Sequence, residues 1–350
     1  MAYTTIDDPE AYFQTVIYTG NGVDDRNITL PGDTDMQPDL VWIKERSSTS
    51  NHQLTDAVRG VGKHLNPDDQ AAEGTNADRV QAFNSDGFQI GADSSVNQDT
   101  ILHVAWCWKA NGAGSSNEAG SINTTATSVD TTSGLSIVKY PANGSDDQTI
   151  GHGLGVVPEV MIVKKTTTDS GYSGARDWAV YHHSIGNTKG LFLNTTAAEA
   201  TKTEWWEDTT PTTTVFTIGS DGEVNDNGSN YIAYCFAEKQ GYSKFGSYTG
   251  NGNADGTFVY TGFRPAFVLQ KSTAVQGWQL QDNKREGYNG ANDLLQPHDN
   301  AAESGVNRID ILSNGFKVIT TDAGQNSSGV TYIYIAFAEA PFVNSNGVPC

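Results

Sequence analysis

The residues whose types and spacing could do chemistry are few. They are the adjacent histidines His182 and His183, the aspartates Asp33 and Asp35, the aspartates Asp221 and Asp226, and the neighbouring tryptophans Trp205 and Trp206. Two histidines in a row on a strand point to opposite faces, so a structural or surface role is expected for them rather than shared metal ligation. The two aspartate pairs offer oxygen ligands and make calcium the one candidate cofactor. Neither follows the EF-hand spacing, and Asp-rich turns are usually solvated. Trp205 and Trp206 sit in the polar stretch TKTEWWEDTTP. Aromatic rings with an apolar face and a polar edge suit sugar rings, so these two, with Tyr181 and more weakly Tyr288, are the glycan-contact candidates. The competing reading packs both tryptophans at a domain or subunit junction.

Catalytic signatures are missing. There is no G-x-S-x-G elbow and no H-E-x-x-H. Gly60-Val61-Gly62-Lys63-His64 has neither the spacing nor the Ser/Thr of a phosphate loop. The 41 acidic residues allow many carboxylate pairings for glycoside hydrolysis, yet context singles out none. No catalytic residue is assigned, and the chain reads as a protein other than an enzyme, with polysaccharide depolymerisation as a third alternative.

Composition narrows the partners. The formal net charge is −20, with 18% charged residues and 37 glycines in 350 positions. Phosphate neutralisation needs a basic surface, so nucleic acid is not expected as a partner. No run of eighteen apolar residues occurs, which argues against membrane insertion by a helix. The acidic start MAYTTIDDPEAYFQ lacks the basic and apolar regions of a secretory signal. Cys107 and Cys235 fall inside apolar runs, and Cys350 stands alone at position 350, so no disulfide framework is expected.

The strongest signal is internal repetition. YTGNG occurs at 18–22 and again at 248–252, with YPANG at 140–144. Each is followed by a proline-to-lysine run: PDLVWIK at 38–44, PEVMIVK at 158–164 and PAFVLQK at 265–271. Next come Ala-Ala-Glu at 71–73, 197–199 and 301–303, then GFQIG, VFTIG and GFKVI around Phe88, Phe216 and Phe316. The last landmark is HVAWCWK at 103–109, YIAYCFAE at 231–238 and YIYIAFAE at 332–339. Trp178 and Trp278 occupy matching positions, where the first copy has His52. The string TDAVRG of the first copy has no literal counterpart later.

The runs are short, β-branched or aromatic, and separated by Gly, Asn and Asp clusters, which is strand-and-turn chemistry. The expected fold is all-β: three tandem β-sandwich repeats of about 100 residues, larger units than those of solenoids, with a jelly-roll-like arrangement as an option. Asn-Gly in the recurring phrase is read as a tight turn after each first strand. The expected organisation is an attachment segment at 1–11, repeats at 12–110, 134–240 and 241–342, a polar linker at 111–133 and a tail at 343–350.

Several longer strings carry a resemblance: MAYTTIDDPEAYFQTVIYTGNG, QPDLVWIKERS followed by TDAVRG, FNSDGFQIG, VAWCWKANG and AEAPFVNSNGVPC. Together they resemble a family of virion-associated structural or tail-fibre proteins of tailed, chiefly marine, bacteriophages. The resemblance spans nearly the whole chain. It implies a virion protein made in the host cytoplasm, in contact with other virion proteins and with host-surface glycan through multivalent sites, and it brings no catalytic residues. A closed homo-oligomer, a trimer by preference, is the expected assembly. The alternative is a head-decoration, neck or adaptor protein with a purely architectural role.

Overall fold

A computed structural model describes residues 4–168, 176–289 and 293–350. The first repeat runs through a 3-10 turn (Pro9–Ala11), β1 (Phe13–Thr19), β2 (Arg26–Ile28), β3 (Leu40–Glu45), β4 (Gln53–Asp56), β5 (Lys63–His64), β6 (Gly74–Thr75), β7 (Val80–Asn84), β8 (Gly87–Ile90), α1 (Ser94–Asn97) and β9 (Leu102–Trp108). The second holds β10 (Ala126–Asp130), β11 (Leu135–Pro141), β12 (Gln148–Gly151), β13 (Val160–Lys165), β14 (Ala179–His182), β15 (Lys189–Phe192), β16 (Ala200–Thr201), α2 (Thr203–Trp206), β17 (Val215–Ile218) and β18 (Asn230–Phe236). The third holds β19 (Ser243–Thr249), β20 (Phe258–Tyr260), β21 (Phe263–Ser272), β22 (Gln279–Asp282), β23 (Ile309–Leu312), β24 (Gly315–Val318), α3 (Ala323–Asn326) and β25 (Thr331–Pro341). The protein is all-β.

One strand order recurs. The main sheets read β1-β9-β3-β4, β11-β18-β13-β14 within a longer sheet, and β19-β25-β21-β22. Each is backed by a small sheet: β2-β8-β7, β12-β17 and β20-β24-β23. All named pairings are antiparallel. Residues alternate between the faces of each main sheet. Val41, Ile43, Ala105 and Cys107 pack toward the first small sheet, whereas Leu40, Trp42, Trp106 and Trp108 point the other way. That other face meets its counterparts from both other repeats in one shared apolar core, which draws Phe13 and Trp108, Ile162 and Phe236, and Phe267 and Phe337 together. The ring of Phe337 lies within 6 Å of Phe13, Trp108, Phe236, Tyr242, Phe245 and Phe267. An apolar void of about 40 Å³ remains there, lined by side chains of all three repeats. The sandwiches are therefore not beads on a string: both faces of each main sheet are buried, and one of them only by its neighbours.

The recurring YTGNG phrase has a specific partner. Tyr18, Tyr140 and Tyr248 each donate a hydroxyl hydrogen bond of 2.8 Å to the carbonyls of Val96, Val224 and Gln325. The following residues, Asn97, Asn225 and Asn326, are fully buried and accept the backbone N–H of Asn21, Asn143 and Asn251 on their side-chain oxygens. Gly22, Gly144 and Gly252 then take φ between +63° and +69°, which a side chain would oppose. The receiving turns are capped alike: Asp93, Asp221 and Asp322 accept from the backbone two residues on. The phrase is thus a turn that bolts the first strand to the last one.

A second set of contacts closes the ring. The N–H groups of Glu73, Glu199 and Glu303, in the three Ala-Ala-Glu segments, donate to the carbonyls of Thr166, Thr273 and Arg46, each in the next repeat. These acceptors lie two residues after Lys164, Lys271 and Lys44, the lysines that end the proline-to-lysine runs. All three lysines are fully buried, and their Nζ atoms donate to backbone carbonyls, including those of Gln70 and Asn300 across repeat boundaries. Burial lowers each to about 8. The ring nitrogens of Trp178, Trp278 and His52 reach the carbonyls of Asn66, Phe192 and Gln296 in the preceding repeat at 3.0, 2.8 and 3.2 Å. Each acceptor stands seven residues before the glutamate of its segment.

TDAVRG does have a structural counterpart. Asp56 and Arg59 form a buried pair at 2.5 Å, and Asp282 and Arg285, in QDNKREG, form another at 2.6 Å. Asp56 accepts from Tyr234 of the second repeat, and Asp282 from Trp106 of the first. The second repeat has His182 and Ile185 there. Burial pushes His182 down to about 3, so it is neutral, and its Nε2 donates to the carbonyl of Tyr334. One neutral donor thus replaces a buried ion pair.

Two expected boundaries change. The segment read as a linker, 111–133, carries β10, which adds to the edge of β11, and Ile122, which is buried beside β12. Small polar residues hid a strand whose few apolar side chains suffice at a sheet edge. The expected attachment segment, apart from residues 1–3, which lie outside the described residues, belongs to the body. Ile6 joins the shared core, Thr4 bonds the carbonyl of Gln240, and Asp7 accepts from Ser345.

Glu223 lies on the capped turn of the second repeat, near Lys164. Burial first, then the nearby Asp177 charge, raises its carboxyl to about 7, against the opposing pull of Arg176. A raised folded-state value means the protonated form favours folding: that stability is complete below the unfolded value and is lost as pH rises through about 7. Relative to Glu223→Gln, the wild-type chain should lose stability between about pH 4.5 and pH 7 in urea titrations. Parallel curves for the two would show that Glu223 is ionised in the folded state.

Candidate functional site

The glycan candidates read from the sequence are not at the surface. Trp205 and Trp206 are fully buried, and Tyr181 is 2% exposed. Consecutive residues on a strand would diverge, but these two sit on the short α2. There a step of about 100° lets both rings enter the same core. Trp205 lies edge-on to Phe192 at 5.1 Å, Trp206 edge-on to Tyr181 at 5.8 Å, and the two rings meet at 86°. Gly190 is needed beneath them: a Cβ there would sit 2.4 Å from the Trp205 ring. Glycan contact by Trp205, Trp206 and Tyr181 is therefore corrected to core packing. Tyr288 is 39% exposed but engaged, its hydroxyl donating to Glu339 and its ring lying under Arg264.

Two of the four calcium candidates are engaged by protein contacts. Asp221 is the turn cap described above. Asp226 accepts Lys165 Nζ at 2.7 Å. Asp33 and Asp35 are exposed on one loop, where the N–H of Asp33 donates to Glu10. Among the described residues no group of three or more His, Cys, Asp or Glu side chains is placed to hold a metal ion. His183 follows the end of β14, free of strand alternation. Its ring stacks on His182 at 5.1 Å and reaches the carbonyl of Phe245. Cys107 and Cys235 are buried free thiols, and Cys350 is exposed.

The surface feature with the most binding chemistry is a cleft of about 280 Å³ where the second repeat meets the third. Its walls come from the chain after β18, the start of β19, the end of β20 and residues 342–343. Alternation along β20 turns Val259 into the third repeat's core and leaves Phe258 and Tyr260 outside, at 45% and 57% exposure. Tyr260 stands at the cleft, and its hydroxyl makes no hydrogen bond with the described residues. Gln240, Ser243 and Thr261 add polar atoms, and Glu238 and Lys244 face each other across 2.7 Å.

Glu159, the residue before β13, interacts with Glu238. Burial raises the Glu159 carboxyl, and contact with Glu238 raises it further. One of its oxygens, Oε2, is buried without a donor. The neighbouring Glu238 charge therefore adds to burial in favouring the protonated form of Glu159. The groups lining the cleft can exchange hydrogen bonds with a polar ligand.

The signal for Tyr260 was present in the alternation of FVYTG, and Glu159 and Glu238 lie in or beside two of the repeated landmarks. What no pattern carried is the meeting of these segments across a repeat boundary.

Removing an interior indole should cost stability. Trp205→Ala is expected to lower the unfolding free energy by about 3–5 kcal/mol in guanidinium titrations, as for other buried Trp-to-Ala changes. Full native stability in that variant, or strong acrylamide quenching of both indoles, would return Trp205 and Trp206 to the surface.

A family model described as a domain of unknown function, DUF7483, matches residues 8–341. No curated protein matches the chain, and no solved structure does either. The match covers the chain from before β1 to the end of β25, and the protein therefore belongs to the DUF7483 family.

Proposed function

We propose that the chain is a structural protein of a tailed-phage virion, an appendage or tail-fibre component that contacts host-surface glycan without catalysis. Its interlocked body serves as a rigid mount, and the cleft between the second and third repeats is the contact point. The observation that carries this reading is Tyr260. A tyrosine 57% exposed, its hydroxyl unengaged by the described residues, beside a polar cleft of about 280 Å³, offers an apolar face for a sugar ring and hydrogen-bonding groups around it. The volume suits one or two sugar units rather than a long chain. Binding at one such site is weak, and an appendage present in several copies strengthens it through avidity. The resemblance to virion proteins supports the setting.

The architectural alternative also has an observation in its favour. β20 is an edge strand of its sheet, and Phe258 projects from it. Such an edge invites pairing with another chain. The two readings separate on one experiment. Heteronuclear NMR of the isolated protein, titrated with neutral oligosaccharides of N-acetylglucosamine or glucose, should shift resonances around Tyr260, Gln240 and Thr261. Tyr260→Ala should abolish those shifts while leaving the melting temperature within a few degrees. No shift at millimolar saccharide, together with cryo-EM density placing the Tyr260 face against another virion protein, would replace glycan contact by assembly.

A further inference from the structure

Strand β20 differs from its two counterparts at its outer edge. Val259, Ile28 and Ile150 each pair with the repeated phenylalanine, Phe316, Phe88 and Phe216, which aligns the three strands. The carbonyl of Thr257 faces β24 and accepts from Val318, and the N–H of Thr261 faces the same way and donates to Asn314. Alternation therefore turns the N–H and C=O groups of Phe258 and Tyr260 away from the sheet, and no described residue bonds them. In the second repeat the position of Phe258 is Thr149. Its outward N–H donates to the hydroxyl of Ser121 at 2.8 Å, and its carbonyl accepts the N–H of Ile122 at 3.1 Å. There the chain covers its own edge with a passing segment. No described segment does the same at β20. The outward side chains differ as well. The two positions hold Asn27 and Thr29 in the first repeat, Thr149 and Gly151 in the second, and Phe258 and Tyr260 in the third.

We propose that the β20 edge is a self-association surface, on which a second copy of this chain adds its own β20 antiparallel, across a two-fold axis at Val259. The inference goes beyond the glycan reading and does not rest on it. The pattern of the strand selects this occupant: aromatic residues alternate symmetrically about Val259, so a two-fold mate sets Phe258 opposite the partner's Tyr260 and Tyr260 opposite the partner's Phe258. The outward N–H and C=O groups of the two strands then meet in four hydrogen bonds, and two aromatic cross-strand pairs form on the solvent face. Two three-stranded sheets become one of six, and both open edges disappear.

Nothing beside the strand opposes this approach. Gly256 and Gly262 flank it and carry no side chain. Lys317, opposite Phe258 in the ladder, is paired with Asp255, so the edge is locally neutral. The net charge of −20 repels two copies at long range, where salt screens it, and not at the contact. The polar edge of β2 gains less from such pairing, because Asn27 and Thr29 bring no aromatic surface to cover. In the pair, the partner's Phe258 stands next to the Tyr260 of each cleft.

Sedimentation equilibrium of the full chain tests this, from micromolar to submillimolar protein in about 150 mM sodium chloride, where repulsion is screened within about 8 Å. A monomer–dimer equilibrium is expected. Phe258→Pro removes an outward N–H and keeps the inward ladder at Val259, so it should stay monomeric with the far-ultraviolet spectrum of the parent. Phe258→Lys keeps the N–H and places two like charges near the axis, and should weaken the dimer by about tenfold or more. Amide exchange in the unaltered chain gives a readout that needs no variant. The N–H groups of Phe258 and Tyr260 should slow by about tenfold from the lowest to the highest concentration, while that of Val259 is protected at both. A chain that is monomeric throughout would overturn the proposal. So would a dimer that Phe258→Pro leaves intact, or one that forms without slowing those two amides. Each of these results leaves the saccharide titration of Tyr260 to stand or fall separately.

Discussion

Everything in this molecule depends on burying the second face of each main sheet. Strands such as β3 and β13 are buried at every residue. A sandwich made from one repeat alone covers only the face toward its small sheet. The other face, with Trp42, Trp106 and Trp108 in the first repeat, finds cover only against the second and third. Phe337 stands at the meeting point, touching aromatic rings from all three repeats. Exposing three such faces would forfeit about 25 cal/mol for every Å² of apolar surface, which a domain of about 100 residues with marginal stability does not recover elsewhere.

The polar contacts at the repeat boundaries follow from that constraint. Once three sheets converge, the loops beside them are buried too, and their carbonyls need donors. The buried lysines supply them, as do the ring nitrogens of Trp178, Trp278 and His52, and each reaches into an adjoining repeat or its own loop. The copies are not equal. Two use a buried Asp–Arg pair and the third a neutral histidine with Ile185. The junction with the neutral histidine is the one beside Glu159, Glu238 and Tyr260, where the surface opens into the cleft. An assembly of three identical subunits would present three equal junctions, whereas one chain with three diverged copies can specialise one of them.

Much of this was legible in the sequence. The five ordered landmarks carried the strand-rich, all-β character, and several of them prove to be specific interactions. YTGNG is a turn docked on a buried asparagine, the closing lysine is a buried donor to backbone carbonyls, and the glutamate N–H of Ala-Ala-Glu donates to the carbonyl two residues after the lysine of the next repeat. The asparagine itself, preceded four residues earlier by Asp93, Asp221 or Asp322, was a further landmark that went unread because each copy lies in a loop-like stretch. Trp205 and Trp206 misled because polar neighbours imply exposure, whereas a single helical turn beside Gly190 buries both. The strand at 126–130 was hidden because an edge strand needs few apolar residues. The cleft could not be read at all: its residues come from three separate segments, and no local pattern records which of them meet.

The most direct test of the account is whether one repeat can fold without the others. The second repeat, residues 111–240, has the largest sheet and its own core around Trp205 and Trp206, so it is the copy best equipped to stand alone. Produced in isolation and followed by near-ultraviolet circular dichroism during urea unfolding, it should show no cooperative transition, while the full chain unfolds in one step seen alike by near- and far-ultraviolet signals. A cooperative, native-like transition in the isolated repeat, or three separable transitions in the full chain, would contradict the claim that the shared core holds the structure together.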